Sequence, residues 1–214
     1  IESLQDNFTF YLMKKLMLPL VFAVALVTES AAQDISKIDK NFEPQKIGNI
    51  EFCFYNTKNA PFKVEGLPWR KEGGEFSRLP DGITKENASA GVIGLCWHTS
   101  GAAVRFSTDS KMVAVKYMTR GSGDMGHMPR SGSSGFDLYI KDADGKYSFL
   151  KNFHQRNFGE MGKVPYSEIG AKFGDSKMRE FALYFPRYCG VKDVEIGVLP
   201  GAKIEPPKPH NVSK

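Results

Sequence analysis

Gly135-Phe136-Asp137-Leu138-Tyr139-Ile140-Lys141 runs through Asp142-Ala143-Asp144-Gly145-Lys146 into Tyr147-Ser148-Phe149-Leu150-Lys151-Asn152-Phe153. Phe136, Leu138 and Ile140 fall on one side of the first run and Asp137, Tyr139 and Lys141 on the other. This is the period-two pattern of a half-buried strand. Asp144-Gly145 is a strong hairpin signal, because a tight turn between twisted strands needs residues that tolerate positive φ. The second run returns as the partner strand. Asp142-Ala143-Asp144-Gly145 also opens like a calcium loop, but the third ligand and the distal Glu are missing, so it reads as a turn.

The same pattern recurs along the chain. Residues 50–55 place Ile50, Phe52 and Phe54 on one face, and residues 112–118 place Val113, Val115 and Tyr117 together with Lys116 opposite. Residues 104–107, 181–185 and 191–199 are further strands, and 91–98, a mostly apolar run, reads as a central one. Pro186 limits the strand before it, since proline cannot donate to a ladder. Residues 158–177 are less regular, with a short helix expected near 165–171. No segment carries a sustained helical period with caps. With 12% aromatics, 21 Gly and 12 Pro, the chain fits an all-β fold, an antiparallel β-sandwich or jelly roll.

The ends read differently. Met13-Lys14-Lys15, an apolar run over 16–27 and Ser30-Ala31-Ala32 have the layout of a secretory signal peptide at 13–32, with cleavage after Ala32. The apolar run is short of the ~20 residues a bilayer span needs. Residues 1–12 then read as upstream, non-native or disordered sequence, and 33–47 as a disordered N-terminal segment. The sandwich is expected over 48–203. Residues 204–214, with Pro206-Pro207-Lys208-Pro209, read as a semi-rigid linker to a domain beyond. The expected location is secreted or periplasmic, without a stable membrane anchor after cleavage. Loss of residues 1–32 leaves 27 basic against 21 acidic side chains. These charges are scattered, which argues against nucleic acid as a partner. Cys53, Cys96 and Cys189 are an odd set without zinc spacing, so neither a metal nor a cofactor is expected, and Cys53 and Cys96 read as buried thiols.

Several stretches in order resemble one family. These are Gly66-Leu67-Pro68-Trp69, Phe76-Ser77-Arg78-Leu79-Pro80, the run 97–106, Gly126-His127-Met128-Pro129, Gly135-Phe136-Asp137-Leu138-Tyr139, Leu183-Tyr184-Phe185-Pro186 and Glu195-Ile196-Gly197-Val198. The chain is similar, over about 47–204, to the Gly-x-Asp-Leu-Tyr β-sandwich domain found N-terminal to SGNH-type esterase domains of secreted bacterial enzymes. Gly135, Asp137, Leu138 and Tyr139 stand at the signature positions. The resemblance implies a downstream catalytic α/β domain in the same polypeptide, with a Ser nucleophile, an Asp-x-x-His pair and Gly and Asn oxyanion donors. It also implies an activity similar to that of carbohydrate esterases, which remove acyl groups from polysaccharides.

Two fragments of this chain spell pieces of such a site. Gly174-Asp175-Ser176 matches the nucleophile block and Asp124-Met125-Gly126-His127 the Asp-x-x-His block. An acyl-transfer triad needs His to take the Ser proton and Asp to orient His. Here the blocks stand in reverse order, no buried parallel strand leads to Ser176, and no α/β alternation supplies the sheet. The first expectation is therefore a non-catalytic domain that packs on the catalytic domain and shapes its cleft. A free-standing carbohydrate-binding module is the alternative, and a self-contained esterase using Ser176 and His127 is the third. The Gly-rich loop 120–135 supplies the candidate interface or substrate residues Asp124, His127, Met128 and Arg130, because polar loops on rigid sandwiches often carry function. Trp69, expected to be exposed, and Tyr139 complete the set, while Trp97 is expected in the core. Asp137 is expected to have a structural task, capping backbone NH groups of the preceding turn.

Overall fold

A computed structural model of the chain describes residues 44–121 and 124–210, all within the compact unit Asp34–Lys214. Among these residues run eleven strands: β1 (Gln45–Ile47), β2 (Ile50–Asn56), β3 (Lys63–Glu65), β4 (Ala103–Thr108), β5 (Met112–Thr119), β6 (Phe136–Lys141), β7 (Tyr147–Phe153), β8 (Tyr166–Lys172), β9 (Arg179–Tyr184), β10 (Val191–Val198) and β11 (Ile204–Glu205). Two short helices, α1 (Ala90–Leu95) and α2 (Arg130–Ser133), lie between them. One sheet has the order β1-β2-β10-β5-β8 and the other β11-β4-β9-β6-β7, with β3 also pairing β4. Every strand pair is antiparallel. The expected all-β sandwich is the observed fold.

The core lies between the sheets. Val113, Val115 and Tyr117 of β5 and Val194, Ile196 and Val198 of β10 meet Val104, Phe106, Phe136, Leu138, Phe181 and Leu183 of the facing sheet. Alternation of side chains along a strand puts these residues inside and their neighbours outside. Each fully buried Phe contributes about 1.5–3 kcal/mol relative to exposure. The β6–β7 hairpin forms as read: Gly145 has φ +79°, and the Asp142 amide donates to the Lys146 carbonyl at 2.7 Å.

Other readings change. Residues 90–95 form a helix, not a central strand: the Ser89 hydroxyl accepts from the Val92 amide at its N-terminus. A short continuous apolar run has no period that separates helix from strand, and a serine cap decides it. Trp97 is consequently half-buried at the helix exit rather than in the core. Residues 166–172 form a strand, not a helix. Its pairing with β5 skips a residue between Ala171 and Ile169, and that bulge breaks the alternation a sequence reader relies on. Gln45–Ile47, assigned to the disordered N-terminal segment, pairs with β2. Ile50, Phe52 and Phe54 share a face as read, but Phe52 and Phe54 form a second apolar cluster with Met112 and Ala114, separate from the main core. Cys53 and Cys189 are buried, whereas Cys96 is only partly so, and no disulfide joins them. The segments 1–12 and 13–32, residues 33–43 and residues 211–214 lie outside the described residues.

Candidate functional site

The five residues of the 135–139 stretch divide their work by face. Phe136 and Leu138 point into the core. Gly135 sits where no side chain fits: a Cβ there would lie 2.3 Å from the Ser131 carbonyl oxygen and 2.6 Å from Asn152 Nδ2. Asn152 Nδ2 donates to Asp137 Oδ1 at 2.8 Å and to the Ser131 carbonyl at 2.9 Å. Asp137 thus holds α2 against the start of β6 through Asn152 rather than by capping backbone amides. Tyr139 lies on the outer face, edge-on to Phe149 and Tyr184 with ring centroids 5.6 and 5.4 Å away. Gly135, Asp137, Tyr139, Tyr184 and Arg187 line an outer cleft of about 390 Å³.

The 120–135 loop leaves β5 at one end of the sandwich. The Arg120 amide donates to the Gly190 carbonyl at 2.7 Å. Its guanidinium stacks 3.8 Å above the Trp97 ring and pairs with Glu75 at 2.8 Å. Met125 and Met128 close a tight bridge, which leaves His127 exposed near its tip. Met128 turns its side chain toward Gly132. Arg130 Nε lies 3.5 Å from Asp124 Oδ1, and its guanidinium stacks 4.6 Å from the Phe158 ring. Of the four loop residues, Asp124 and Arg130 meet, while His127 and Met128 are their neighbours in the same loop. Asp124 and Met125 also border a pocket of about 640 Å³ with Leu95, Trp97, Arg120 and Tyr188. Trp69, 60% exposed, lines a second pocket with Arg70, Pro80 and Trp97, the ring that also borders the first.

The two hydrolase-like fragments do not meet. β5 pairs with β8 so that Met112 faces Lys172 and Tyr117 faces Tyr166. Residues 174–176 follow Lys172 at the Met112 end of β5, while His127 follows Thr119 at the other. At roughly 3.4 Å per residue the two ends of this strand are about 20 Å apart, and the two fragments follow from opposite ends. Asp175 is taken up by Arg179 and by the Lys177 amide, and the Arg179 guanidinium pulls its carboxyl down to about 2.

Sequence reading missed a buried polar cluster on the outer face of the second sheet. Arg105 of β4 is 2% exposed. Its Nε donates to the Tyr147 hydroxyl at 3.0 Å, Nη1 to Glu65 at 2.9 Å, and Nη2 to Glu180 at 2.5 Å and to the Lys208 carbonyl at 2.7 Å. His210 Nε2 lies 2.8 Å from Arg105 Nη1 and 2.9 Å from Glu65 Oε2, and Lys141 reaches Glu180 at 3.3 Å. Burial would lower the Arg105 pKa, but hydrogen bonds to Glu180, Glu65 and Tyr147 raise it instead. Burial would raise the Glu65 and Glu180 carboxyls, but their hydrogen bonds, from His210 and Arg105 and from Tyr147 and Arg105 respectively, hold both below the usual range. Burial and the hydrogen bond to Glu180 push the Tyr147 phenol up to about 12. The available signal was an Arg alternating with Val104 and Phe106 in a strand, which marks a charge on the face away from the core.

This cluster also holds the C-terminal segment. β11 pairs with β4, and residues 208 and 210 are bound by Arg105 and Glu65. Residues expected as a linker are, as far as His210, attached to the sandwich. Among the described residues, no three His, Cys, Asp or Glu side chains are grouped to hold a metal ion.

Comparison with known proteins adds the following. The family model described as GxDLY, the N-terminus of SGNH-hydrolase-type esterases, matches residues 52–204. A structure from Bacteroides ovatus described as a GDSL-like lipase is 24% identical, with a TM-score of 0.61, over 73% of this chain and 43% of that one. The salicylyl-acyltransferase SsfX3 of a tetracycline biosynthetic pathway is 15% identical, with a TM-score of 0.54, over 74% of this chain and 42% of that one. At these identities the likeness is one of fold, and this chain spans about two fifths of the length of each. No curated protein matches.

Proposed function

Because the chain belongs to the GxDLY family, the N-terminal part of SGNH-hydrolase-type esterases, we propose that it is the accessory sandwich domain of an exported esterase. In this reading the chemistry resides in an α/β domain that follows in the same polypeptide. The sandwich packs on that domain and shapes its cleft through residues 124–130. The family match over 52–204 carries the reading. The separation of Ser176 from His127 supports it, since a nucleophile and its base must come within about 3 Å to pass a proton. The ester substrates are then polysaccharide acyl groups, and the 13–32 segment is the export signal to the periplasm or beyond. The coding sequence after Lys214 tests this directly. A Gly-[Asp/Thr]-Ser block at the end of an apolar strand, with Asp-x-x-His later, is expected; a stop codon there sinks the proposal.

The outer cleft favours one second reading, a polysaccharide-binding module. Tyr139 and Tyr184 give it aromatic walls, and Asp137 and Arg187 give it polar groups. That combination suits a sugar ring with apolar faces and hydroxyl edges. Affinity electrophoresis on xylan and pectin is the check: retardation that Tyr184→Ala abolishes supports it, and unretarded migration on all glycans removes it.

A further inference from the structure

We infer that the end of the sandwich built from α1, residues 124–135 and the 186–190 turn is the surface on which the catalytic domain of the same polypeptide sits, and that the Arg105 cluster directs the chain toward it. The inference rests on the reading that such a domain follows.

The first observation is α1. Its sequence is Ala-Gly-Val-Ile-Gly-Leu, and none of its residues is buried. Leu95 is 57% exposed and Val92 44%. A six-residue helix is unstable by itself, and helices normally persist by burying an apolar face. Tyr188, 41% exposed, lines one pocket with Leu95, Met125 and Arg120. An apolar rim around a concave surface with charged neighbours is what a partner protein covers.

The second observation is direction. Ile204 faces Thr108 and Glu205 faces Ser107, so β11 runs along β4 toward Ala103. β3 already occupies that edge, with Lys63, Val64 and Glu65 opposite Arg105, Val104 and Ala103. Pro206 and Pro207 have no NH with which to continue a ladder. The chain therefore lifts onto the outer face, where Arg105 takes the Lys208 carbonyl and Glu65 takes His210. Glu65 is level with Ala103, and His210 Nε2 lies between Glu65 and Arg105, so the chain from Glu205 to His210 runs from the level of Ser107 toward the end of β4 to which Thr99, Ser100 and Gly101 lead from α1. Thr99 Oγ1 donates to the Pro186 and Cys189 carbonyls at 3.1 and 3.2 Å, which ties that end to the 186–190 turn. Arg120 and Gly190 place the 120–135 loop there as well. The described path from Glu205 to His210 thus runs toward the end of the sandwich that carries α1.

Hydrogen exchange and calorimetry on the full-length polypeptide test this. Val92→Glu/Leu95→Glu alters two exposed side chains and spares the core. The natural full-length protein is expected to protect amides 92–96 at least about tenfold relative to this variant, because docking must open before they exchange. The variant is also expected to split one cooperative melting transition into two. Phe149→Glu, equally exposed but on another face, leaves both readouts unchanged. If the double variant fails to fold, Leu95→Ser serves for the same comparison. Equal exchange in the natural and variant proteins overturns the inference, and so does protection that depends on protein concentration, the sign of a second copy. Absence of a catalytic domain from the full-length protein overturns the proposed function. An active catalytic domain with an unprotected α1 overturns only the docking surface.

Discussion

Replacing Arg105 with Met separates charge pairing from packing at a buried polar residue that bonds to several others. Its side chain is 3% exposed and meets Glu65, Glu180, Tyr147, the Lys208 carbonyl and His210. Removing one partner of a buried pair costs about 3–5 kcal/mol, mostly because the other charge stays buried alone. Two features place Arg105→Met at the low end. Glu65 is 24% exposed and can rehydrate, and Glu180 keeps Tyr147 at 2.6 Å and Lys141 at 3.3 Å. The expected loss is about 3 kcal/mol, or roughly 6–12 °C in Tm at about 2–4 °C per kcal/mol for a domain of this size. Urea unfolding followed by tryptophan fluorescence measures it, and hydrogen exchange at residues 204–208 should quicken at the same time. Arg105→Met/Glu180→Leu should recover most of the loss, since a buried pair exchanged for apolar residues of similar volume is often neutral. A single-variant loss under about 1 kcal/mol, or a double variant no better than the single, refutes the reasoning about an uncompensated carboxylate.

Acid should weaken the same cluster. Glu65 and Glu180 have folded pKa values below their ordinary value near 4.5, so the unfolded chain binds more protons between the two values. Their stabilisation is present above about pH 4.5 and is lost as pH falls through the folded values, and urea melts from pH 7 to pH 3 should show that loss. Gly135→Ala drives a methyl group into the Ser131 carbonyl and Asn152; a loss of about 1–3 kcal/mol is expected in the same unfolding assay. Phe136→Ala empties a fully buried site and should cost about 3–5 kcal/mol, against less than about 0.5 kcal/mol for exposed Trp69→Ala. Ser176→Ala should leave ester hydrolysis by the full-length protein unchanged; a loss above tenfold would return Ser176 to the catalytic candidates.

Sequence alone determined the sandwich, because alternation in residues 113–117 and 136–140 fixes which side chains face inward whatever the partner strand. It also determined the hairpin at Gly145, where the local turn requires positive φ, and the family, carried by the order of short motifs. Elsewhere local pattern was ambiguous. Residues 90–95 became helix because a serine caps them, and residues 166–172 became strand because β5, some fifty residues away, supplies the partner across a bulge. Only the tertiary structure could separate Ser176 from His127 along β5. It alone could gather Arg105, Glu180, Glu65, Tyr147 and His210 from β4, β9, β3, β7 and the C-terminal segment. Side-chain alternation is local and visible in one chain segment. Hydrogen bonds between residues a hundred positions apart depend on strand order and register, which only the packed sheets set.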